Sequence, residues 1–169
     1  GRATRELFFL RERRNESKEN DFLNVGAMGH SSSVALGIAL NNPNRHVVAL
    51  DGDSALMMHM GAMTMVSKIK LPKFMHIVLN NGAHESVGGQ PSAGYNVDFT
   101  AVAEACGYAT VHHCVTTEAE LAEAINILKD CGSASFIDCR IHKGLSRKLP
   151  PIVFDHREYI DKFIENKIL

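Results

Sequence analysis

The sequence has no tryptophan, four cysteines in 169 residues and no surplus of positive charge. Each shortage removes a class of function. Cys106, Cys114, Cys131 and Cys139 form no Cys-x-x-Cys pair, so neither a disulfide framework nor a zinc site is expected. Cys106, Cys131 and Cys139 sit in or beside apolar stretches and read instead as small buried hydrophobes. Eighteen Lys and Arg against nineteen Asp and Glu leave a net charge of −1, without the basic face a nucleic-acid binder needs to displace counterions. No apolar run is long enough to span a bilayer. Gly1–Arg14 is basic but is not followed by the apolar core and small-residue cleavage site of a secretion signal. Neither nucleic acid nor membrane is an expected partner, and a reducing cytoplasm is the expected compartment. The chain opens on Gly1 rather than Met, which reads as a fragment or a processed product. A G-x-G-x-x-G turn and a P-loop are absent. A calcium loop starting at Asp51 fails as well, with Leu56 and Ala62 where Gly and Glu are required.

What remains is an ordinary globular balance, 45% hydrophobic and 22% charged, in a length suited to one domain. Helical and extended patterns alternate. Helices are predicted over Thr4–Arg14, from Ser31–Ser33 as a cap through Leu40, over Ala55–Lys68 and over Phe99–Cys106. Two more are predicted, one after the Thr117-x-x-Glu120 capping box and one over Arg157–Asn166. Gly132 suits the end of the helix that carries Leu121, Ala124, Ile125 and Leu128 on one face. Strands are predicted over Phe22–Val25, His46–Leu50, Phe74–Leu79, Tyr108–His112 and Ala134–Ile141. The apolar runs among them lack alternation, as in strands covered on both faces. Asn15–Asn20 and Ala83–Asn96 read as loops. Met57, Met58, Met60, Met63 and Met65 fall on one predicted helix and are assigned to packing. Alternating strand and helix predicts an α/β fold, a parallel sheet flanked by helices on both faces.

Ligands of such sheets bind at the carboxyl ends of strands. That rule selects Gly26–His30, Asp51–Ala55 and Asn80–Gly89, each containing glycine where backbone can approach a ligand. Asp51-Gly52-Asp53-Ser54 combines two carboxylates and a hydroxyl with the start of a predicted helix, whose free N–H groups favour phosphate. Phosphate beside aspartate requires a hard cation between them, and Mg²⁺ is commonly held by one or two carboxylates plus substrate phosphates. Asn81 adds an amide oxygen without charge. Asp51 and Asp53 also fit a D-x-D metal site for nucleotide-sugar transfer, in which the Asn-Asn-Gly spacing has no role.

Read together, Gly52-Asp53-Ser54, 25 residues and Asn80-Asn81 resemble the thiamine diphosphate motif, Gly-Asp-Gly followed by Asn-Asn at that spacing. Ser54 departs from the usual glycine. Gly26-Ala27-Met28-Gly29 resembles the segment that carries a large apolar residue under the bent cofactor. Met28-Gly29-His30-Ser31 and Asn80–Pro91 are similar to the phosphonopyruvate and sulfopyruvate branch of the thiamine diphosphate-dependent 2-oxo acid decarboxylases. The resemblance implies that residues 1–169 form one C-terminal-type diphosphate-binding domain. The pyrimidine-binding domain would come from elsewhere, as a further domain or a separate subunit of a homo- or hetero-oligomer.

It further implies Mg²⁺ ligation by Asp53, Asn81 and the Ala83 carbonyl. Cofactor contacts would come from Gly26, Met28, Gly52, Asp53, Ser54, Ala55, Asn81, Gly82 and Ala83, with Met28 as the wedge. His30 and Glu85 are the substrate-side candidates, and the substrate is a small anionic 2-oxo acid, phosphonopyruvate giving phosphonoacetaldehyde and CO₂. A sulfopyruvate enzyme and a non-catalytic cofactor-binding subunit remain as alternatives. Arg2, Arg5, Arg11, Arg13 and Arg14 could meet a polyanionic substrate, but a solvated helix face is the favoured reading.

Overall fold

The computed structural model describes residues 1–66, 68–111, 113–144 and 149–165. Helix α1 spans Arg2–Arg14 and α2 Ser31–Asn41, and β1 runs Val47–Gly52. Helix α3 (Asp53–Met58) follows β1 directly, then a 3₁₀ turn (Met60–Ala62) and α4 (Met63–Val66). Strand β2 spans Phe74–Asn80, β3 Ala83–His84 and β4 Gln90–Pro91, with a 3₁₀ turn at Glu85–Val87 between the last two. Helix α5 (Phe99–Ala105), β5 (Ala109–Thr110), α6 (Glu118–Leu128), β6 (Ser135–Arg140) and α7 (His156–Glu165) follow among the described residues.

The main sheet has the order β1-β2-β6-β5 and every pairing in it is parallel. Its two faces follow from the period-two side-chain alternation. Phe74, Val78 and Phe136 point to one face and pack with Ala35 and Ala39 of α2, Leu56 of α3, and Phe99 and Ala103 of α5. Met75, Ile77, Ile137 and Cys139 point to the other and meet Ala124 and Leu128 of α6. Phe74, Val78 and Phe136 are at most 1% exposed, and each such side chain contributes about 1.5–3 kcal/mol by leaving water. Helices on both faces of a parallel sheet are the architecture expected from the alternation. No helix of the described residues is long and apolar enough to cross a membrane.

Several local expectations fail. Phe22–Val25 is not a strand: the Tyr159 hydroxyl of α7 donates to the Asp21 carbonyl and accepts from the Leu23 N–H, so α7 ties this segment instead of a sheet neighbour. The helix predicted over Ala55–Lys68 begins at Asp53 and breaks at His59 into three short pieces, with Ser67 outside the described residues. Met63 there is fully buried, whereas Met58 and Met65 are exposed rather than packed. The Ala83–Asn96 loop contains a two-stranded antiparallel hairpin, β3 with β4. The strand predicted over Tyr108–His112 is two residues long, with His112 outside the described residues. Ser31–Ser33 lie inside α2, which starts after His30 without a side-chain cap. Helix α6 stops before Lys129, three residues short of Gly132. Of the three cysteines read as buried, Cys139 is buried, Cys106 half-buried and Cys131 exposed. Asn166, the predicted end of the last helix, lies outside the described residues.

The capping box of α6 forms as read. Glu120 N–H donates to Thr117 Oγ1 at 3.2 Å, and Thr117 N–H to Glu120 Oε2 at 3.2 Å. Thr117→Ala is expected to cost about 1 kcal/mol, read as a lower urea midpoint with unchanged slope.

Candidate functional site

Strands β1 and β2 pair in parallel with Gly52 opposite Leu79, so the residues after them leave the sheet side by side. There a cleft of about 320 Å³ opens, lined among others by Gly26, Met28, Gly52, Asp53, Ser54, Ala55, Asn81, Ala83 and Glu85. Asp53 and Asn81, 2% and 7% exposed, share this one cavity. Gly82 does not line it, lying under the Tyr95 ring. His30 does not line it either: it is exposed, its ring against that of His59 with centroids 4.0 Å apart.

Three segments build the cavity. At Gly26–Gly29 the turn is held by Asn24, whose Nδ2 donates to the Ala27 carbonyl at 2.9 Å and to Ser31 Oγ at 3.2 Å. Gly29 has φ +86°, and a Cβ there would stand 2.7 Å from the Ala55 carbonyl and 2.5 Å from His59 Nδ1. Only glycine lets this turn lie against α3 and present Met28, 36% exposed, to the cleft.

At Asp51–Ala55 the helix starts at once. Gly52 is extended and Asp53 is the first helical residue. Ser54 is 7% exposed, and its Oγ has no hydrogen-bond partner. A buried hydroxyl without a partner costs free energy, and this one belongs to a residue that lines the cavity. Asp51 is turned to other work: Oδ1 accepts from the Gly52 N–H at 3.0 Å, and Oδ2 faces the buried His76 Nε2 at 3.7 Å.

In the third segment the two asparagines divide the labour. Asn80 is fully buried; its Nδ2 donates to the Gly94 carbonyl at 2.8 Å and to Asp138 Oδ1 at 3.1 Å, and its Oδ1 accepts from the Gly82 N–H at 3.3 Å. Burial pushes the Asp138 carboxyl up, against the pull of Asn80 and Arg140. Asn81 Oδ1 accepts from the Ala83 N–H at 3.1 Å, and its Nδ2 reaches Glu85 Oε1 at 3.5 Å. Residues 92–94 then return over the site. Ser92 Oγ donates to Asp53 Oδ2 and accepts from the Gly94 N–H at 3.1 Å.

Sequence reasoning missed Ser92, Gly94 and Asp138, whose roles depend on partners 14–58 residues away, and it missed Asn24. It also read Arg2 as part of a solvated face, whereas Arg2 lines the cleft. No group of three or more His, Cys, Asp or Glu that could hold a metal exists among the described residues. The Asp53 carboxylate, the Asn81 amide oxygen and the Ala83 carbonyl belong to residues that line the cleft, a hard donor set of the kind magnesium takes.

Residues 8–139 match the family model described as thiamine pyrophosphate enzyme, C-terminal TPP binding domain. The chain is 41% identical over 125 residues to the phosphonopyruvate decarboxylase of Streptomyces viridochromogenes, covering 74% of this chain and 30% of that protein. It is 30% identical over 173 residues to sulfopyruvate decarboxylase subunit beta of Methanocaldococcus jannaschii, covering 93% of this chain and 82% of that subunit. The thiamine diphosphate-dependent 4-hydroxybenzoylformate decarboxylase of Rhodococcus jostii shares the fold. The TM-score is 0.59 at 23% identity, over 68% of this chain and 23% of that one.

A Cβ at Gly94 would stand 2.6 Å from Asn80 Oδ1 and closer still to the Asp53 carboxylate. At Gly52 it would meet nothing within 4 Å. Gly94→Ala is therefore expected to destabilise the protein by about 1–3 kcal/mol, and Gly52→Ala by much less, in paired thermal denaturations.

Proposed function

Because the chain belongs to the thiamine pyrophosphate enzymes and carries their C-terminal TPP binding domain, we propose that it supplies the diphosphate-holding half-site of a 2-oxo acid decarboxylase. The proposed substrate is phosphonopyruvate, and the products are phosphonoacetaldehyde and CO₂. The observation that carries this reading is the single cavity holding Asp53, Asn81, Ala83, Met28 and the partnerless Ser54 hydroxyl. The chain spans 30% of the phosphonopyruvate decarboxylase it matches, so the remainder of the active site is proposed to come from a pyrimidine-binding domain or subunit. Coverage of 82% of a chain named as a subunit favours a second reading, the beta subunit of a sulfopyruvate decarboxylase in a hetero-oligomer.

The residues fit the cofactor. A diphosphate next to Asp53 would be repelled unless a cation lay between them. Asp53, Asn81 and the Ala83 carbonyl are the oxygens proposed to hold Mg²⁺, leaving it positions for phosphate oxygens. Ser54 Oγ gains the acceptor it lacks, and the first N–H groups of α3, at Ser54 and Ala55, have no intrahelical acceptor and are free to donate. Gly52 leaves the backbone open to close approach. Thiamine diphosphate, when bound, supplies the electron sink for the carbon–carbon bond that breaks.

The chain's own residues orient and shield. Met28 is proposed to support the cofactor from below. Leu50, Leu79 and Ile141 give the cavity apolar wall that keeps water back. Glu85 is the proposed substrate-side acid–base group; its carboxylate accepts from the Gly144 N–H at 2.7 Å and lies beside Asn81. His30, paired with His59 away from the cavity lining, has no part in this reading. Nucleotide-sugar transfer is the weaker reading, since Asp51 accepts from Gly52 and faces His76 and the Asn-Asn-Gly spacing has no role in it.

Assay of the assembled enzyme with phosphonopyruvate and sulfopyruvate is expected to give CO₂ with the first; turnover of the second alone selects the subunit reading. Asp53→Ala, or chelation of the metal, is expected to weaken thiamine diphosphate binding by at least the roughly 10–100-fold lost with a metal site's outer partners. Calorimetry showing unchanged affinity removes the ligand assignment. Met28→Ala is expected to lower kcat more than cofactor affinity, and the reverse pattern removes the wedge.

A further inference from the structure

The cavity carries a charge that neither the metal set nor the diphosphate seat uses. Among the described residues lining it are four carboxylates, Glu6, Asp51, Asp53 and Glu85, and a single Lys or Arg, Arg2. Arg2 is half-buried in the first turn of α1, which holds no acidic residue. Its Nε and Nη2 both donate to the Glu85 carbonyl at 3.2 Å. That fastens the guanidinium to the segment after Asn81, on the proposed substrate side, and not to the Gly52–Ala55 turn.

The acceptor is a neutral carbonyl. Glu85 Oε1 accepts from Gly144 and Asn81, and no carboxylate pairs with Arg2 among the described residues. A guanidinium has five N–H donors; two are engaged here. The others, with the full positive charge, remain for what enters the cavity. A guanidinium that lines the cleft without a counter-ion is placed to take an anionic ligand.

We propose that Arg2 determines substrate specificity, its guanidinium binding the phosphonate or sulfonate oxygens on the third carbon of a 2-oxo acid. This rests on the decarboxylase reading above. The guanidinium fork matches two oxygens of a tetrahedral anion at once. Pyruvate lacks that anion and would make no such bonds to the guanidinium, so the enzyme is expected to favour the acid that carries it.

The test uses the enzyme assembled with its pyrimidine-binding partner. Arg2→Met is expected to raise KM for whichever acid the wild type decarboxylates by roughly tenfold or more, with kcat changed less and thiamine diphosphate affinity unchanged. Arg2→Lys keeps charge without the fork and is expected to fall between wild type and Arg2→Met. The unreactive 3-phosphonopropionate is expected to bind the wild type in calorimetry and not Arg2→Met. An unchanged KM in either variant overturns the proposal. So does a loss of thiamine diphosphate affinity at constant KM, which would assign the guanidinium to the cofactor's diphosphate. Should Arg2→Met fail to fold, Arg2→Lys decides alone. If the wild type decarboxylates neither acid, the decarboxylase reading falls, and 3-phosphonopropionate binding still reports on Arg2.

Discussion

Two neighbouring strands that run the same way and stop at the same height make this site. Parallel pairing of β1 with β2 sets Gly52 opposite Leu79, so Asp53 and Asn81 emerge beside one another without any loop reaching across the molecule. A slip of one residue would exchange the faces of every side chain on one strand. Slipped on β1, Asp51 would trade faces with Leu50; slipped on β2, His76 would trade faces with Ile77. The burial of Phe74, Val78 and Phe136 on one face, with Ile77 and Ile137 on the other, is what forbids the slip. The geometry of the site is thus enforced from within the sheet, by residues that never touch a ligand.

A second layer of order is polar. Asn80 is fully buried, yet each of its polar atoms is satisfied, by Gly94, Asp138 and Gly82. A satisfied buried network rigidifies its surroundings, whereas an incomplete one is a liability. The same asparagine that ends β2 therefore sets the turn for Asn81 and fastens residues 92–94 over Asp53. Asp138 carries the cost of that arrangement, since burial raises its carboxyl's proton affinity and Asn80 and Arg140 only partly compensate.

How much of this was legible depended on how local its cause was. The strands at His46–Leu50, Phe74–Leu79 and Ala134–Ile141 announce themselves as apolar runs without alternation, because both faces are covered, and the structure keeps them within a residue or two. The Thr117–Glu120 box is equally local. Phe22–Val25 had a strand's composition, but Tyr159 claimed its backbone from more than a hundred residues away. The break at His59 and the fold-back of Ser92 and Gly94 likewise answer to distant contacts, which no window of sequence contains. The resemblance to the motif pointed to Asp53, Asn81 and Met28, and all three line one cavity. His30 followed the same motif, yet its ring turns out to stack on His59.

The clamp of Tyr159 on Asp21 and Leu23 is joined by Phe163, which stacks edge-on against Phe22 with centroids 5.2 Å apart. One residue further along, Asn24 shapes the turn that presents Met28. The last helix thus acts as a splint for a stretch that has no regular structure of its own. Damage to that splint would be felt first as a slackened methionine rather than as a melted core, so a lesion far from the cleft would masquerade as a defect of the cofactor pocket.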